Sequence, residues 1–314
     1  MKYLVTGGAG FIGSNLAAAL VQRGDSVVVI DNFSTGKREN LDGIQDHVQL
    51  VEGSIADLAA VRKAMQGVDF VLHQAALASV QRSVEDPISS NEVNVKGTLN
   101  VLVAARDAGV KRLVYAASSS AYGDTEELPK REDMAARPLS PYAVQKWVNE
   151  HYCKVFSTLY GLDTVCLRYF NVFGPRQDPA SDYAAVIPIF VTRLLAGVTP
   201  TIYGDGEQSR DFTFIENVVD ANLKACEGAA KQGAVVNIAC GSRYTLNELF
   251  TNICDLLGIA AQPRYAPARA GDVKHSMADI TQARKLLGWE PRVDFASGLR
   301  RTVEWYRSTV SATR

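Results

Sequence analysis

The chain has 314 residues, 47% hydrophobic and 21% charged, an ordinary globular make-up with room for one large α/β unit or two domains. Its 33 basic residues against 34 acidic ones leave a net charge of −1, so composition gives no reason to expect a nucleic acid or an anionic membrane as partner. No apolar run reaches bilayer length and Met1-Lys2-Tyr3 leads straight into a strand pattern, so no signal peptide is expected and a cytoplasmic protein is.

Lys2 to Thr6 is a short apolar run, and Phe11 to Val21 carries apolar residues at helical spacing. Between them lies Gly7-Gly8-Ala9-Gly10-Phe11-Ile12-Gly13, a strand, glycine turn and helix in succession. In such a turn Gly7 permits the reversal, Gly10 lets main chain approach a pyrophosphate, and Gly13 lets helix and strand pack closely. The helix N-terminus then offers free N–H groups to the phosphates. The G-x-x-G-x-x-G spacing is a variant of the usual dinucleotide fingerprint. A second run, Ser26 to Ile30, ends at Asp31, where a carboxylate can accept from the adenine ribose hydroxyls and repel a 2′-phosphate, favouring NAD over NADP. Lys37 and Arg38 are the opposing signal, since they would neutralise such a phosphate if their loop turned inward.

Further strand-length runs occur at Val48 to Val51, Phe70 to His73, Arg112 to Ala117 and Thr164 to Arg168, with helical patterns at Leu58 to Met65, Asn91 to Ala108 and Tyr142 to Tyr160. Alternation of this kind predicts a Rossmann-type, doubly wound parallel sheet over residues 1–172. Beyond it, loops such as Gly174 to Asp182 and Tyr203 to Asp211 alternate with strands at Pro200 to Tyr203 and Val235 to Ala239. Helices are expected at Leu246 to Leu257, Ile280 to Leu287 and Ala296 to Tyr306. Residues 173–314 are therefore expected to form mainly a smaller α/β substrate domain, with some segments returning to the first.

Tyr142 and Lys146 are four apart, one helical turn, so the ammonium can sit beside the phenol and draw its pKa down from about 10. Ser118, at the end of the Arg112 to Ala117 run, would give a hydroxyl to the same substrate oxygen. Five cysteines without a C-x-x-C pair read as small core residues, and four scattered histidines suggest no metal site.

The chain resembles the extended short-chain dehydrogenase/reductase family, and within it the nucleotide-sugar 4-epimerases, almost end to end. The likeness is carried by Val5-Thr6-Gly7-Gly8-Ala9-Gly10-Phe11-Ile12-Gly13, His73-Gln74-Ala75-Ala76, Asn94-Val95-Lys96-Gly97-Thr98, Ala117-Ser118-Ser119-Ser120, Pro141-Tyr142, Leu167-Arg168-Tyr169-Phe170-Asn171, Arg210-Asp211-Phe212 and Gly271-Asp272. The resemblance implies NAD as cofactor and a UDP-sugar as substrate. It implies Ser118, Tyr142 and Lys146 as catalytic residues. Gly7, Gly10, Phe11, Ile12, Gly13, Asp31, Asn32, Ser54, Ile55 and Ala75, with Tyr142 and Lys146, are the implied cofactor contacts. Ser79, Ser118, Asn171, Arg210, Arg269, Asp272 and Ser276 are the implied substrate contacts, the two arginines on the diphosphate. One departure is Gly53-Ser54-Ile55, where the family usually has an aspartate near the adenine.

Related 4,6-dehydratases carry Asp-Glu after the serine or threonine, and related decarboxylases a glutamate at the second position. Ser119 and Ser120 cannot replace a carboxyl group in either reaction, which leaves oxidation and reduction at C4. Ser276 falls where strict glucose/galactose epimerases have a tyrosine, so an N-acetyl group is expected to fit. The expected substrates are UDP-N-acetylglucosamine and UDP-glucose, with a UDP-glucuronate 4-epimerase, a 4,6-dehydratase and a non-catalytic NAD-binding redox sensor as alternatives. Apolar residues on several faces of Asn91 to Ala108 and Tyr142 to Tyr160, including Trp147, Tyr152, Phe156 and Leu159, suggest a homodimer through a four-helix bundle, as in the family.

Overall fold

The computed structural model describes residues 1–179, 185–230, 232–268 and 273–312. Six strands come from the first half: β1 (Lys2–Thr6), β2 (Ser26–Asp31), β3 (Val48–Glu52), β4 (Phe70–His73), β5 (Arg112–Ser118) and β6 (Thr164–Tyr169). Four short strands follow, β7 (Val172–Phe173), β8 (Thr201–Tyr203), β9 (Ser209–Arg210) and β10 (Thr213–Phe214), before β11 (Ala234–Ile238). The main sheet is seven-stranded and parallel, in the order β11-β6-β5-β4-β1-β2-β3. The order reverses between β1 and β4, and ligands bind outside the carboxyl ends of the strands at such a switch point.

Both faces of this sheet are buried, which is why its strands read as continuous apolar runs. Successive side chains point to opposite faces. Tyr3, Val5, Val27, Val29, Leu72 and Val114 enter one core, while Leu4, Val28, Ile30, Val71, Leu113 and Tyr115 enter the other. The first core takes α1 (Phe11–Gln22) and the second takes α2 (Leu58–Ala64).

The expected helix from Asn91 to Ala108 is interrupted. After α3 (Val80–Glu85) and α4 (Pro87–Asn91) comes a π-helical turn at Glu92–Lys96, and only then α5 (Gly97–Asp107). The wide turn accompanies a set of internal contacts. The Asn94 carbonyl accepts from Thr98 Oγ1 at 2.7 Å and Asn149 Nδ2 at 2.8 Å, and its side chain holds Leu77 N at 2.8 Å. A π-bulge of this kind is common beside functional sites.

The longer α6 (Pro141–Tyr160) begins with Pro at the first turn and a Ser140 cap, and ends at Gly161 in the left-handed region. Its inner face buries Cys153 and Phe156. Phe156, expected among the spare apolar residues, belongs to the core. Val144, Val155 and Leu159 remain exposed, Leu159 by 69%.

The second half adds α7 (Val186–Leu195), α8 (Ile215–Glu227), α9 (Leu246–Leu257), α10 (Thr281–Leu287) and α11 (Phe295–Ala312). Strand β7 pairs with β10, β9 with β12 (Tyr244–Thr245), and β8 with β13 (Arg264–Ala266). Aromatic packing joins these segments: Phe173 lies 5.6 Å from Phe214, and Tyr244 stacks on Phe295 at 4.0 Å. No helix among the described residues is long and apolar enough to cross a membrane.

Candidate active site

The glycine turn is fixed by contacts that leave no space for side chains. Gly7 has φ +66°, and a Cβ there would meet the Ala75 main chain at 2.8 Å. A Cβ on Gly13 would meet the Gly7 carbonyl oxygen at 2.1 Å. Gly10 caps α1 without any side-chain hydrogen bond, so the first N–H groups of that helix stay available to an anion. Around this turn runs a groove of about 230 Å³. Its walls include Gly7, Gly10, Phe11, Ile12, Gly13, Asp31, Asn32, Ser54, Ile55 and Ala75, so these expected cofactor contacts share one path, while Tyr142 and Lys146 are not in its lining.

Asp31 is 8% exposed and accepts from Ala9 N at 2.9 Å and Phe33 N at 2.8 Å, tying the glycine turn to the end of β2. This anchoring was not visible in the spacing alone. Lys37 pairs with Asp178 at 3.0 Å, and Arg38 with Glu52 at 2.5 Å while stacking over Phe33. Each basic residue thus has an acidic partner other than Asp31, and the groove retains a carboxylate where a 2′-phosphate would lie. An uncapped helix N-terminus, a side-chain-free turn and an acidic residue at the ribose end together fit NAD.

Beyond the groove, β5 ends at Ser118, whose hydroxyl caps a short 3₁₀ turn at Ser119–Tyr122. Ser118 Oγ accepts from Ser120 N at 3.2 Å and from Ser120 Oγ at 2.8 Å. Tyr142 stands in the first turn of α6, where its N–H donates to Ser83 Oγ at 3.0 Å. Desolvation pushes the phenol up to about 12, opposed by a hydrogen bond with Ser118. The expectation that the Lys146 ammonium draws this phenol down from about 10 is not met. Lys146 Nζ donates to the Ala116 carbonyl at 2.7 Å and lies 5.9 Å from the Tyr142 ring centre. Its own pKa falls to about 8 through burial, against which the Glu150 carboxylate acts. Glu150 is itself locked to Arg168 by two bonds of 2.8 and 2.7 Å, with both side chains 5% exposed.

His73 lies behind this cluster, between Thr6 Oγ1 at 2.6 Å and Thr98 Oγ1 at 3.0 Å. Burial, with Lys146 nearby, pulls its pKa down to about 3, so the imidazole is neutral at ordinary pH. Ser79 caps α3 by accepting from Arg82 N at 3.0 Å and lines a wider opening with Gly10, Phe11 and Arg176.

A second groove, of about 360 Å³, is lined by Asn171, Phe173, Phe190, Arg193, Tyr203, Gln208 and Arg210 among others. Asn171 has φ +33° and donates from Nδ2 to the Asp211 carbonyl at 3.0 Å. Arg210 Nη1 donates to the Ser209 and Lys274 carbonyls at 3.0 and 3.2 Å. Asp211, fully buried, draws in N–H groups from Cys240, Gly241 and Ala278, and burial pushes its pKa up to about 7. Ser276 pairs through its N–H with Ser209 O at 3.0 Å, next to Arg210 but not in the lining of either groove. Arg269 and Asp272 lie outside the described residues.

The family model for the NAD dependent epimerase/dehydratase family matches residues 3–239. The chain is 42% identical over 313 residues to a UDP-glucose 4-epimerase of Mycolicibacterium smegmatis, spanning 98% of this chain and 99% of that protein. Among solved structures it is similar to a UDP-glucose 4-epimerase from Thermotoga maritima with UDP-glucose, at TM-score 0.95 and 40% identity, covering 99% of this chain and 100% of the other. It is also similar to a UDP-N-acetylglucosamine 4-epimerase from Methanobrevibacter ruminantium in complex with UDP-N-acetylmuramic acid, at TM-score 0.94 and 42% identity, covering 98% of each. By its motifs, its sheet and these likenesses, the chain belongs to the NAD dependent epimerase/dehydratase family.

Proposed function

We propose that the protein is a UDP-hexose 4-epimerase, acting on UDP-N-acetylglucosamine/UDP-N-acetylgalactosamine and UDP-glucose/UDP-galactose through a transient 4-keto sugar. The observation that carries this is the position of Ser118, Tyr142 and Lys146, beside a groove that fits NAD, with hydroxyls rather than carboxyls at 119 and 120. NAD, held along the glycine turn and Asp31, would supply the hydride acceptor and donor for C4.

The chain's own residues handle the proton. Tyr142 takes it from the 4-hydroxyl and gives it back, and Ser118 hydrogen-bonds the same oxygen. A phenol at about 12 stays protonated near neutrality and cannot accept the proton, so positive charge beside it must lower it during the reaction, and the Lys146 ammonium is the chain's contribution. Inversion requires C4 to offer both faces in turn, so the nucleotide must be gripped and the sugar left loose. Asn171, Arg210, Arg269 and Asp272 would grip the nucleotide, because a guanidinium matches phosphate oxygens and keeps its charge. Ser79 and Ser276 would border the sugar, and the serine at 276 would leave room for the N-acetyl group.

In the same proposal residues 1–172 hold the cofactor and 173–314 mainly the substrate, with α8 and β11 completing the first unit. The protein would act as a cytoplasmic homodimer, burying Ile88, 82% exposed in the single chain, with Val144, Val155 and Leu159.

The test is to incubate purified protein separately with UDP-N-acetylglucosamine, UDP-glucose and UDP-glucuronate, adding only catalytic NAD, and to resolve products by NMR. Galacto-configured products from the first two are expected. Turnover of UDP-glucuronate alone would overturn the substrate assignment, and a deoxy-keto product or none would overturn the epimerase.

A further inference from the structure

We infer that Ser120 is a positioning residue for this reaction: its hydroxyl holds the Ser118 hydroxyl in the orientation that donates outward, to Tyr142 and the substrate oxygen. The inference rests on the proposed epimerase chemistry and deepens it. A serine hydroxyl has one hydrogen and two lone pairs. At Ser118 both lone pairs are engaged from within the turn, by Ser120 N at 3.2 Å and Ser120 Oγ at 2.8 Å. The remaining direction carries the Ser118 hydrogen, and the Ser118 hydroxyl is the group that offsets the burial of the Tyr142 phenol.

The result is a one-way chain, Ser120 to Ser118 to the reacting oxygen. Ser118 thus serves as a committed donor when negative charge develops on the sugar oxygen or the phenol. Without the Ser120 hydroxyl one lone pair opens, the Ser118 hydrogen can rotate back into the turn, and the donor is lost part of the time.

The test compares wild type, Ser120→Ala and Ser120→Thr as NAD-loaded proteins. For Ser120→Ala we expect kcat to fall about three- to tenfold, the range of one neutral hydrogen bond, with KM little changed. The acidic limb of the kcat/KM profile should move to higher pH, because a phenol that loses a donor is harder to ionise. Ser120→Thr, which keeps the hydroxyl, should restore both.

A second readout does not depend on turnover: ultraviolet difference titration of the Tyr142 phenol, with Tyr142→Phe as baseline. Its midpoint should rise in Ser120→Ala and return in Ser120→Thr. An unchanged kcat and midpoint, a raised KM at unchanged kcat, or equal losses in both variants would overturn the inference. If wild type epimerises no UDP-hexose, the functional proposal falls, and the phenol titration still decides whether Ser120 orients Ser118.

Discussion

The groove beside α1 is shaped by main chain, whereas the groove beside α7 is shaped by side chains drawn from separate segments. In the first, Gly7 and Gly13 bring the turn so close that a single methyl group would collide, and Asp31 binds the turn by the Ala9 N–H. In the second, Asn171 is held by the Asp211 carbonyl, Arg210 by the Ser209 and Lys274 carbonyls, and Asp211 by the N–H groups of Cys240, Gly241 and Ala278. A main-chain cradle recognises what dinucleotides share. A side-chain cradle can be altered residue by residue, so substrate choice would change more readily than cofactor choice within one fold.

Substitutions on the two sides should therefore separate chemistry from grip. Tyr142→Phe removes the proposed base, and kcat should fall by about 10²- to 10⁴-fold with the melting temperature unchanged. Retention of more than about a tenth of the activity would place the proton transfer elsewhere. Arg210→Ala removes a charged donor from the nucleotide side, so KM should rise roughly ten- to a hundredfold with kcat affected less. An equal fall in kcat instead would mean that Arg210 acts in the transition state.

The smallest effect concerns His73, buried between Thr6 and Thr98. Its pKa is about 3 in the folded protein and 6.5 ordinarily, so below 6.5 the unfolded chain takes up a proton that the folded one refuses. Its contribution is complete above pH 6.5 and is lost as pH falls toward 3. By pH 5.5 this costs about 1.4 kcal/mol, which urea unfolding at pH 7.5 and 5.5 should show in wild type and not in His73→Gln, once other carboxylates common to both are subtracted. Identical pH slopes would mean that His73 does not titrate as a buried neutral ring.

The same contrast explains what was legible in the chain. Strands β1 and β4 were bounded at the residue by their apolar runs, because a parallel sheet buried on both faces leaves no polar alternation to confuse them. The glycine turn and the Tyr142/Lys146 pair were legible because their spacing is local. The π-turn at Glu92–Lys96 was not, since it depends on Asn94, Leu77 and Asn149 meeting across the fold. Phe156 was misplaced because helical periodicity shows how many faces are apolar but not which one meets the sheet. The Ser120 bond to Ser118 is local but needs the 3₁₀ turn that follows β5, which the serine run does not announce, and the three-way hold on Asp211 is made by segments far apart in the chain.

The central claim, reversible oxidation at C4 within one site, is tested most directly with UDP-glucose deuterated at C4. The expected product is UDP-galactose that keeps its deuterium at C4 and gains no solvent hydrogen there. Loss of the label to water, or its appearance at C6 in a deoxy sugar, would contradict the epimerase and point to a different reaction on the same fold.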